Sequence, residues 1–309
     1  MVTFPRLATD ALIRRLELPA DRPVRAVLDT DTYNEVDDQF ALAYAVLAKE
    51  ALALEAVYAA PFSNNRSKGP ADGMEKSYDE ILRVLARLGD ERREGFVFRG
   101  SDRYLPGADT PVDSPAARDL VAKAMAGDGT RPLYVLTIGA PTNVASALLL
   151  EPRLVERIVV VWLAGQPHDW PTAREFNLQQ DLWASKLLFD SGVPLVQIPC
   201  TNVAEHLRTT LPELEAWMRG RSALGDYLFE IVRGYHTDHF AWSKVIWDVS
   251  TVAWLVNPSW VPSVLLHSPC LTDQVTYSQD PRRHFVRVGV HCNRDGIFRD
   301  IFTRFAARA

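Results

Sequence analysis

The chain has 309 residues, of which 47% are hydrophobic and 24% charged, and this composition excludes a disordered, collagen-like or disulfide-scaffold protein. Its 34 Lys and Arg residues are outnumbered by 39 Asp and Glu residues, so the formal net charge is −5 and neither nucleic acid nor a membrane surface is an expected partner. The longest apolar run, residues 158–165, is far shorter than the roughly 18 residues of a membrane span. Charged residues interrupt the first thirty positions, which argues against a secretory signal and predicts a cytoplasmic protein.

Short apolar runs alternate with helix-forming segments along the chain. In chain order the pattern predicts strand 25–28, helix 39–48, strand 54–60, helix 73–88, strand 132–138, helix 142–150, strand 157–163, helix 182–190, strand 194–198, a helix-rich stretch 212–255, strand 276–290 and a closing helix 296–308. This alternation is typical of an α/β protein with an open, mainly parallel, Rossmann-like sheet flanked by helices. The chain contains no Gly/Ser-rich or Pro-rich linker, so we expect one domain over residues 1–309.

An acidic cluster follows the first predicted strand. Five carboxylates lie within ten residues: Asp29, Asp31, Glu35, Asp37 and Asp38. Helix capping explains two of them, because Asp37 and Asp38 begin the next helix, but it does not explain all five. Mutual repulsion among the carboxylates favours a hard divalent cation, with one carboxylate free to deprotonate a metal-held water.

Two enzyme families use this local pattern. The segment Asp29-Thr-Asp31-Thr resembles the nucleophile motif of haloacid dehalogenase-like phosphohydrolases, but no late pair of acids follows a strand as that family requires. The same segment with Asp37 and Asp38 resembles the DxDxGxDD motif of calcium-dependent nucleoside hydrolases.

Three later segments strengthen the second resemblance. TIGAPTNVA at 137–145 resembles the turn and helix start of the nucleoside hydrolases, REFNLQQD at 174–181 resembles their EFN motif, and WDVSTVAWLVNP at 247–258 resembles their last metal-binding motif. Four motifs in the family's order are far more specific than the acidic cluster alone. They imply the nucleoside hydrolase fold and cleavage of the bond between ribose and a nucleobase.

The resemblance assigns roles to individual residues. It implies Asp31 as the base that activates water, and a Ca²⁺ site built from Asp31, Asp38, Asp248 and the carbonyl of Ile138. It implies that the ribose is bound by the following residues: Asp37, Glu175, Asn177 and either Asn64 or Asn65. It also implies a small nucleoside substrate and a homodimer or homotetramer.

The sequence departs from the family pattern at two places. The loop between Asp31 and Asp37 is two residues longer and lacks the usual glycine. Trp247 stands where many members carry a histidine, which resembles the purine-preferring branch and predicts stacking of the indole on a purine. A purely structural role of Trp247 in the core is the alternative.

Two histidines are candidates for protonating the departing base. His236 and His239 follow Gly234 shortly before Trp247, and histidine titrates in the range that acid catalysis needs. Solvent-exposed histidines without a catalytic role are the alternative. The sequence therefore predicts a purine-preferring ribonucleoside hydrolase. A phosphohydrolase using Asp29 and Asp31, or an inactive nucleoside- or ribose-binding protein, remains open at this point.

Overall fold

The computed structural model describes residues 2–127 and 129–306. Within these ranges the α-helices are α1 (Thr9–Arg15), α2 (Asp38–Leu47), α3 (Pro70–Arg87), α4 (Pro115–Met125), α5 (Thr142–Leu150), α6 (Phe176–Gln180), α7 (Leu182–Asp190), α8 (Leu211–Trp217), α9 (Ala223–Tyr235), α10 (Val249–Val256) and α11 (Arg294–Ala306). The strands are β1 (Val24–Thr30), β2 (Leu52–Ala59), β3 (Val97–Arg99), β4 (Leu133–Thr137), β5 (Ile158–Leu163), β6 (Leu195–Ile198), β7 (Arg208–Thr209), β8 (Lys244–Val245), β9 (Ser263–His267), β10 (Cys270–Leu271), β11 (Tyr277–Ser278) and β12 (Phe285–Gly289). Short 3₁₀ helices cover Pro152–Glu156, Ala204–His206 and Pro258–Trp260.

Eight strands form one sheet in the order β3-β2-β1-β4-β5-β6-β12-β9. All neighbours pair in parallel except β12 and β9, which pair antiparallel at one edge. The prediction of an open, mainly parallel sheet flanked by helices is confirmed. No helix in the described ranges is long and apolar enough to cross a bilayer.

Helices cover both faces of this sheet, and successive side chains of a strand therefore enter two different cores. In β5, Val159 and Val161 join the core beneath helices α2, α3, α9, α10 and α11. The alternate residues Val160 and Trp162 join the core beneath α4, α5 and α7. Burial on both faces explains why this strand reads as a continuous apolar run rather than an alternating one.

The order of the central strands locates a ligand crevice. The chain runs outward from β1 to β2 and β3, and then crosses back to place β4 on the other side of β1. Such a reversal opens a crevice at the carboxyl ends of the two central strands, here after Thr30 and after Thr137. The acidic cluster follows the first of these strand ends.

The sequence analysis missed several elements. Helix α4 carried usable signals, because the hydroxyl of Ser114 accepts a hydrogen bond from the backbone N–H of Ala117 and a proline follows in the first turn. Helix α1 and strands β3 and β9 were also not predicted.

Most predicted boundaries differ from the structure, those of the helices and strands before residue 200 by up to three residues. The predicted strand 276–290 is divided into β11 and β12 by a turn at Asp280, whose carbonyl accepts the N–H of Arg283. The closing helix begins two residues earlier than predicted, at Arg294, and its predicted end at Arg308 lies outside the described residues.

Candidate functional site

The crevice holds a cluster of buried carboxylates. Asp37 and Asp38 stand at the start of α2, and Asp248 directly precedes α10. One carboxylate oxygen of each of these three residues lies within 4.8 Å of the others. Asp31 follows β1 on the same edge of the sheet and is also fully buried. Positions 210 residues apart thus meet because α10 packs against α2.

Asp31 differs from its neighbours in having a free carboxylate. Both of its carboxylate oxygens are buried, and among the described residues neither has a hydrogen-bond partner. Burial raises the pKa of Asp31 well above its ordinary value, and the nearby Asp38 and Asp37 raise it further. Gly139 leaves room for this carboxylate, because a Cβ there would lie 3.0 Å from Cγ of Asp31. Both oxygens of Asp31 therefore remain available for a ligand.

Neighbouring polar and charged groups partly compensate the negative charges of Asp37 and Asp38. The hydroxyl of Thr30 donates to Oδ1 of Asp38 at 2.6 Å. Burial raises the pKa of Asp38 to about 7, and Asp37 adds to this rise. Burial likewise raises the pKa of Asp37 to about 6, although the ammonium of Lys244, 3.9 Å from Oδ1 of Asp37, lowers it. Four buried carboxylates beside one lysine form a site of negative potential.

A divalent cation fits this donor set. Hard cations such as Ca²⁺ bind carboxylate and carbonyl oxygens, and a bound cation offsets the cost of burying several like charges. The three clustered carboxylates and the unpartnered Asp31 supply such oxygens, and the carbonyl of Ile138 lies at the end of the neighbouring strand β4. These donors suit hard divalent cations as a class.

A cavity of about 260 Å³ opens onto the cluster. It is lined by Asn34, Glu35, Asp37, Ile138, Leu163, Gln166, Glu175, Phe176, Asn177, Cys200, Thr201, Trp247 and Asp248. The structure therefore brings together six of the residues singled out from the sequence: Asp37, Ile138, Glu175, Asn177, Trp247 and Asp248. Trp247 is half-buried and presents a flat aromatic side chain to this cavity.

Glu175 and Asn177 are tied to the backbone around the cavity. Glu175 caps α6, since its carboxylate accepts the backbone N–H groups of Asn177, Leu178 and Gly165 at 2.9–3.1 Å. The side-chain amide of Asn177 donates to the carbonyls of Ile138 and Leu163 at 3.2 and 3.1 Å. These bonds fix both side chains at the carboxyl ends of β4 and β5.

The two asparagines after β2 lie beside a second cavity, of about 920 Å³, which shares Asn34 and Glu35 with the first. Asn64 is half-buried, and its amide donates to Oδ1 of Asn34 at 2.7 Å. Asn65 is exposed. Neither asparagine lines the first cavity, but Asn64 holds the longer acidic loop through its bond to Asn34.

His236 and His239 lie in the segment that follows α9. His236 is exposed, and its ring stacks on Trp242 with centroids 5.3 Å apart. Nε2 of His239 lies 3.1 Å from the carbonyl of Arg233. Neither histidine lines either cavity, although Tyr235, which precedes His236, lines the second one.

Lys244 and Cys200 are among the site residues that the sequence analysis missed. Lys244 is buried, and its ammonium forms an ion pair with Glu35. Burial lowers the pKa of Lys244, but the Asp37 and Glu35 carboxylates outweigh this effect and raise it. Cys200 lines the cavity beside Glu175. Its position shortly after β6, at a strand end, was a usable signal, whereas nothing in the sequence relates Lys244 to a partner 209 positions away.

The carboxylate of Asp29 belongs to a hydrogen-bond network that joins elements of the fold. Its carboxylate accepts a hydrogen bond from the Asn143 amide at 2.8 Å, and Asn143 Oδ1 accepts the N–H of Ser101 at 2.7 Å. Asp29 therefore ties β1 to α5 and to the segment after β3. Neither Asp29 nor Asp31 is among the residues that line the cavity, but the Asn143 amide holds one Asp29 oxygen, whereas both oxygens of Asp31 lack a partner among the described residues. The placement of Asp29 therefore gives no support to a role as a nucleophile.

Solved structures of nucleoside hydrolases share this architecture. The plant nucleoside hydrolase PpNRh1 superposes with a TM-score of 0.73 at 20% identity, covering 93% of this chain and 100% of that one. The purine-preferring ribonucleoside hydrolase from Gardnerella vaginalis gives 0.69 at 21% identity, covering 92% and 98%. At these identities the likeness establishes the fold.

Sequence comparison identifies the family. The pyrimidine-specific ribonucleoside hydrolase RihA of Salmonella typhimurium is 30% identical over 162 residues, which are 50% of this chain and 51% of that protein. The chain spans about half the length of the curated relatives it matches. The model of the inosine-uridine preferring nucleoside hydrolase family matches residues 26–299. The chain therefore belongs to the inosine-uridine preferring nucleoside hydrolase family.

Proposed function

We propose that this protein hydrolyses the N-glycosidic bond of ribonucleosides, with Asp31 as the base that activates water. The observation that carries the proposal is the fully buried Asp31 carboxylate, which has no hydrogen-bond partner among the described residues and lies beside three clustered carboxylates. A general base must be free to accept a proton, and Asp31 meets this condition. Family membership supports the same reaction.

The proposed metal is Ca²⁺, held by Asp31, Asp38, Asp248 and the carbonyl of Ile138. When bound, the ion would lower the pKa of a water molecule and orient the ribose hydroxyls. Asp37, which lines the cavity beside this site, is the proposed acceptor of a hydrogen bond from a ribose hydroxyl.

The surrounding charge suits the proposed transition state. Breaking an N-glycosidic bond leaves positive charge on the sugar, and fixed negative groups stabilise that charge more strongly than they stabilise the neutral substrate. Glu175 and Asn177 are held in place by backbone hydrogen bonds, so they present a rigid wall to the sugar. A rigid wall limits the orientations of the ribose relative to Asp31.

We propose that purine nucleosides are preferred. The names of the relatives point in different directions, since one is pyrimidine-specific and another purine-preferring. The support is Trp247, a half-buried indole in the cavity wall. The free energy gained by stacking on an aromatic face grows with the area of the base. The larger purine ring gains more from this contact.

The test is release of free base from inosine, guanosine, adenosine, uridine and cytidine in the presence of Ca²⁺. The nearly isosteric Asp31→Asn should lower kcat at least about 1000-fold while the variant still folds. Trp247→Ala should lower the ratio of kcat/KM for inosine over uridine by about tenfold. Asp29→Asn is the matched acid control and should lose much less activity than Asp31→Asn.

Three results would contradict the proposal. Full activity of Asp31→Asn would remove the assigned base. Binding of nucleosides without base release at any pH would favour an inactive nucleoside- or ribose-binding protein. Magnesium-dependent phosphatase turnover that Asp29→Asn abolishes would favour the phosphohydrolase alternative.

We also propose that the chain forms a homodimer or homotetramer and acts in the cytoplasm. Light scattering should give two or four times the chain mass of 34.7 kDa. A mass of one chain would reject the assembly, and cell fractionation tests the location.

A further inference from the structure

The longer acidic loop is held from both sides. On one side, Asn64 donates to Oδ1 of Asn34, and Arg66 donates to the carbonyl of Glu35 at 2.9 Å. On the other side, the ammonium of Lys244 forms an ion pair with the Glu35 carboxylate. The loop residues Asn34 and Glu35 separate the two cavities and line both of them. Asn34 and Glu35 of the longer loop therefore form part of the wall of the site.

Lys244 joins this wall to the acidic cluster. Its side chain is 8% exposed, and its ammonium lies 3.9 Å from Oδ1 of Asp37, whose side chain is 4% exposed. The same ammonium donates to the carbonyl of Val245 at 3.0 Å. In the described part of the chain, Lys244 is the one basic residue in an ion pair with the clustered carboxylates.

A buried ammonium is costly unless carboxylates compensate it, and two carboxylates do so here. The ammonium of Lys244 in turn compensates the negative charges of Asp37 and Glu35. Without the ammonium, Asp37 and Glu35 would repel each other and the cluster, and the loop would lose its ion pair with Lys244 of β8.

We infer that Lys244 is a positioning residue, which anchors the longer loop through Glu35 and orients the Asp37 carboxylate toward the substrate. The inference rests on the proposed function, in which Asp37 accepts a hydrogen bond from the ribose. Lys244 carries out no proton transfer in this role. Its positive charge beside the cluster also weakens the binding of a divalent cation, because like charges repel.

The experiment measures the KM for inosine and the dissociation constant for Ca²⁺, the latter by calorimetry on the metal-free protein. Lys244→Met should raise the KM about tenfold and change kcat much less. The same variant should bind Ca²⁺ about tenfold more tightly, since a nearby positive charge is gone. A residue with only a structural role would weaken both kinds of binding.

Three further variants separate charge from anchoring. Glu35→Gln should weaken Ca²⁺ binding and raise the KM. The double variant Glu35→Gln with Lys244→Met should return the Ca²⁺ affinity to within about threefold of the wild type, because the net charge is restored, while the KM stays raised. Lys244→Arg keeps the charge and should keep the Ca²⁺ affinity within about twofold.

Lys123→Met is the matched control, because Lys123 forms a partly buried ion pair with Asp119 at 2.8 Å outside the site. It should change neither constant. Unchanged or weaker Ca²⁺ binding by Lys244→Met would overturn the inference, as would an unchanged KM in both single variants. If Lys244→Met does not fold, the opposite shift in Glu35→Gln, whose side chain is 34% exposed, decides. If the wild type releases no base, the proposed function fails and the Ca²⁺ measurements alone test the charge effect.

Discussion

At the scale of single residues, the space around the Asp31 carboxylate depends on the absence of a side chain at Gly139. A Cβ at this position would lie 3.0 Å from Cγ and 3.2 Å from Oδ1 of Asp31, which is closer than ordinary van der Waals contact. The small residue therefore keeps space around the proposed base, although Gly139 itself carries no chemistry.

Gly139→Ala should lower kcat for inosine by about tenfold or more, because small displacements of a catalytic group are costly. The KM and the thermal midpoint should change little, since the added methyl group moves one side chain. Steady-state kinetics and a thermal unfolding curve measure these effects. Gly107→Ala is the control, because a Cβ there meets no atom within 4 Å. Equal kcat in both variants would show that the space at Gly139 is unimportant.

The leaving-group acid is also a question of single residues, and His236 and His239 remain the proposed donors. If either protonates the departing base, His236→Ala with His239→Ala should lower kcat for inosine about 100-fold. Hydrolysis of p-nitrophenyl riboside should stay unchanged, because its phenolate departs without a proton. An equal loss on both substrates, or no loss on inosine, would exclude acid catalysis by these histidines. The exposed His291 supplies the control substitution.

The carboxylates of the site were predictable as residues, and Lys244 was not. Asp31, Asp37 and Asp38 stand together in the sequence at the end of an apolar strand, where a parallel sheet binds ligands. Lys244 becomes a site residue only through contact with Glu35, and no local pattern encodes a contact between such distant positions.

At the scale of elements, burial decided which strands could be predicted. Strands β4 and β5 are buried at every position, and continuous apolar runs marked both of them. Strand β9 alternates between half-buried and exposed residues at the edge of the sheet, and its pairing with β12 is antiparallel. Its run of Val264, Leu265 and Leu266 was a usable signal, but it is shorter than the apolar runs of β4 and β5.

His284, which directly precedes β12, should make the stability of the protein depend on pH. Burial lowers the pKa of His284 to about 4, and the neighbouring Arg283, Arg6 and His267 also lower it, while Asp190 raises it. The folded state therefore binds this proton less readily than the unfolded chain, whose histidine has a pKa of about 6.5. The stabilisation is complete above pH 6.5 and is lost as the pH falls toward 4.

His284→Gln should reduce the loss of unfolding free energy between pH 6.5 and pH 4.5, because about one proton is removed from the difference in proton binding. Urea unfolding at several pH values measures this slope in the metal-free protein. The exposed His291→Gln should keep the slope of the wild type. Parallel slopes for wild type and His284→Gln would mean that His284 is not protonated on unfolding in this range.

At the scale of the whole molecule, the acidic cluster joins distant parts of the chain. Asp37 and Asp38 begin α2, Asp248 precedes α10, and these helices pack together on one face of the sheet. Without a cation, the three buried carboxylates repel one another across this contact. This repulsion lowers the free energy of unfolding of the metal-free protein, and a bound divalent cation would remove the repulsion.

Calcium should accordingly stabilise the folded protein, by about 2.7 kcal/mol at a free concentration 100 times the dissociation constant. Asp248→Asn should abolish this response, because it removes a proposed ligand. In metal-free buffer the same variant should be more stable than the wild type, since one buried repelling charge is gone. The exposed Asp113→Asn, which loses a surface ion pair with Arg118, should keep the calcium response of the wild type. Thermal unfolding with calcium and with chelator measures all three proteins. A calcium response that survives in Asp248→Asn would place the cation elsewhere. A midpoint above that of the wild type in chelator and below it in calcium would show that the carboxylates destabilise the metal-free protein and bind the cation.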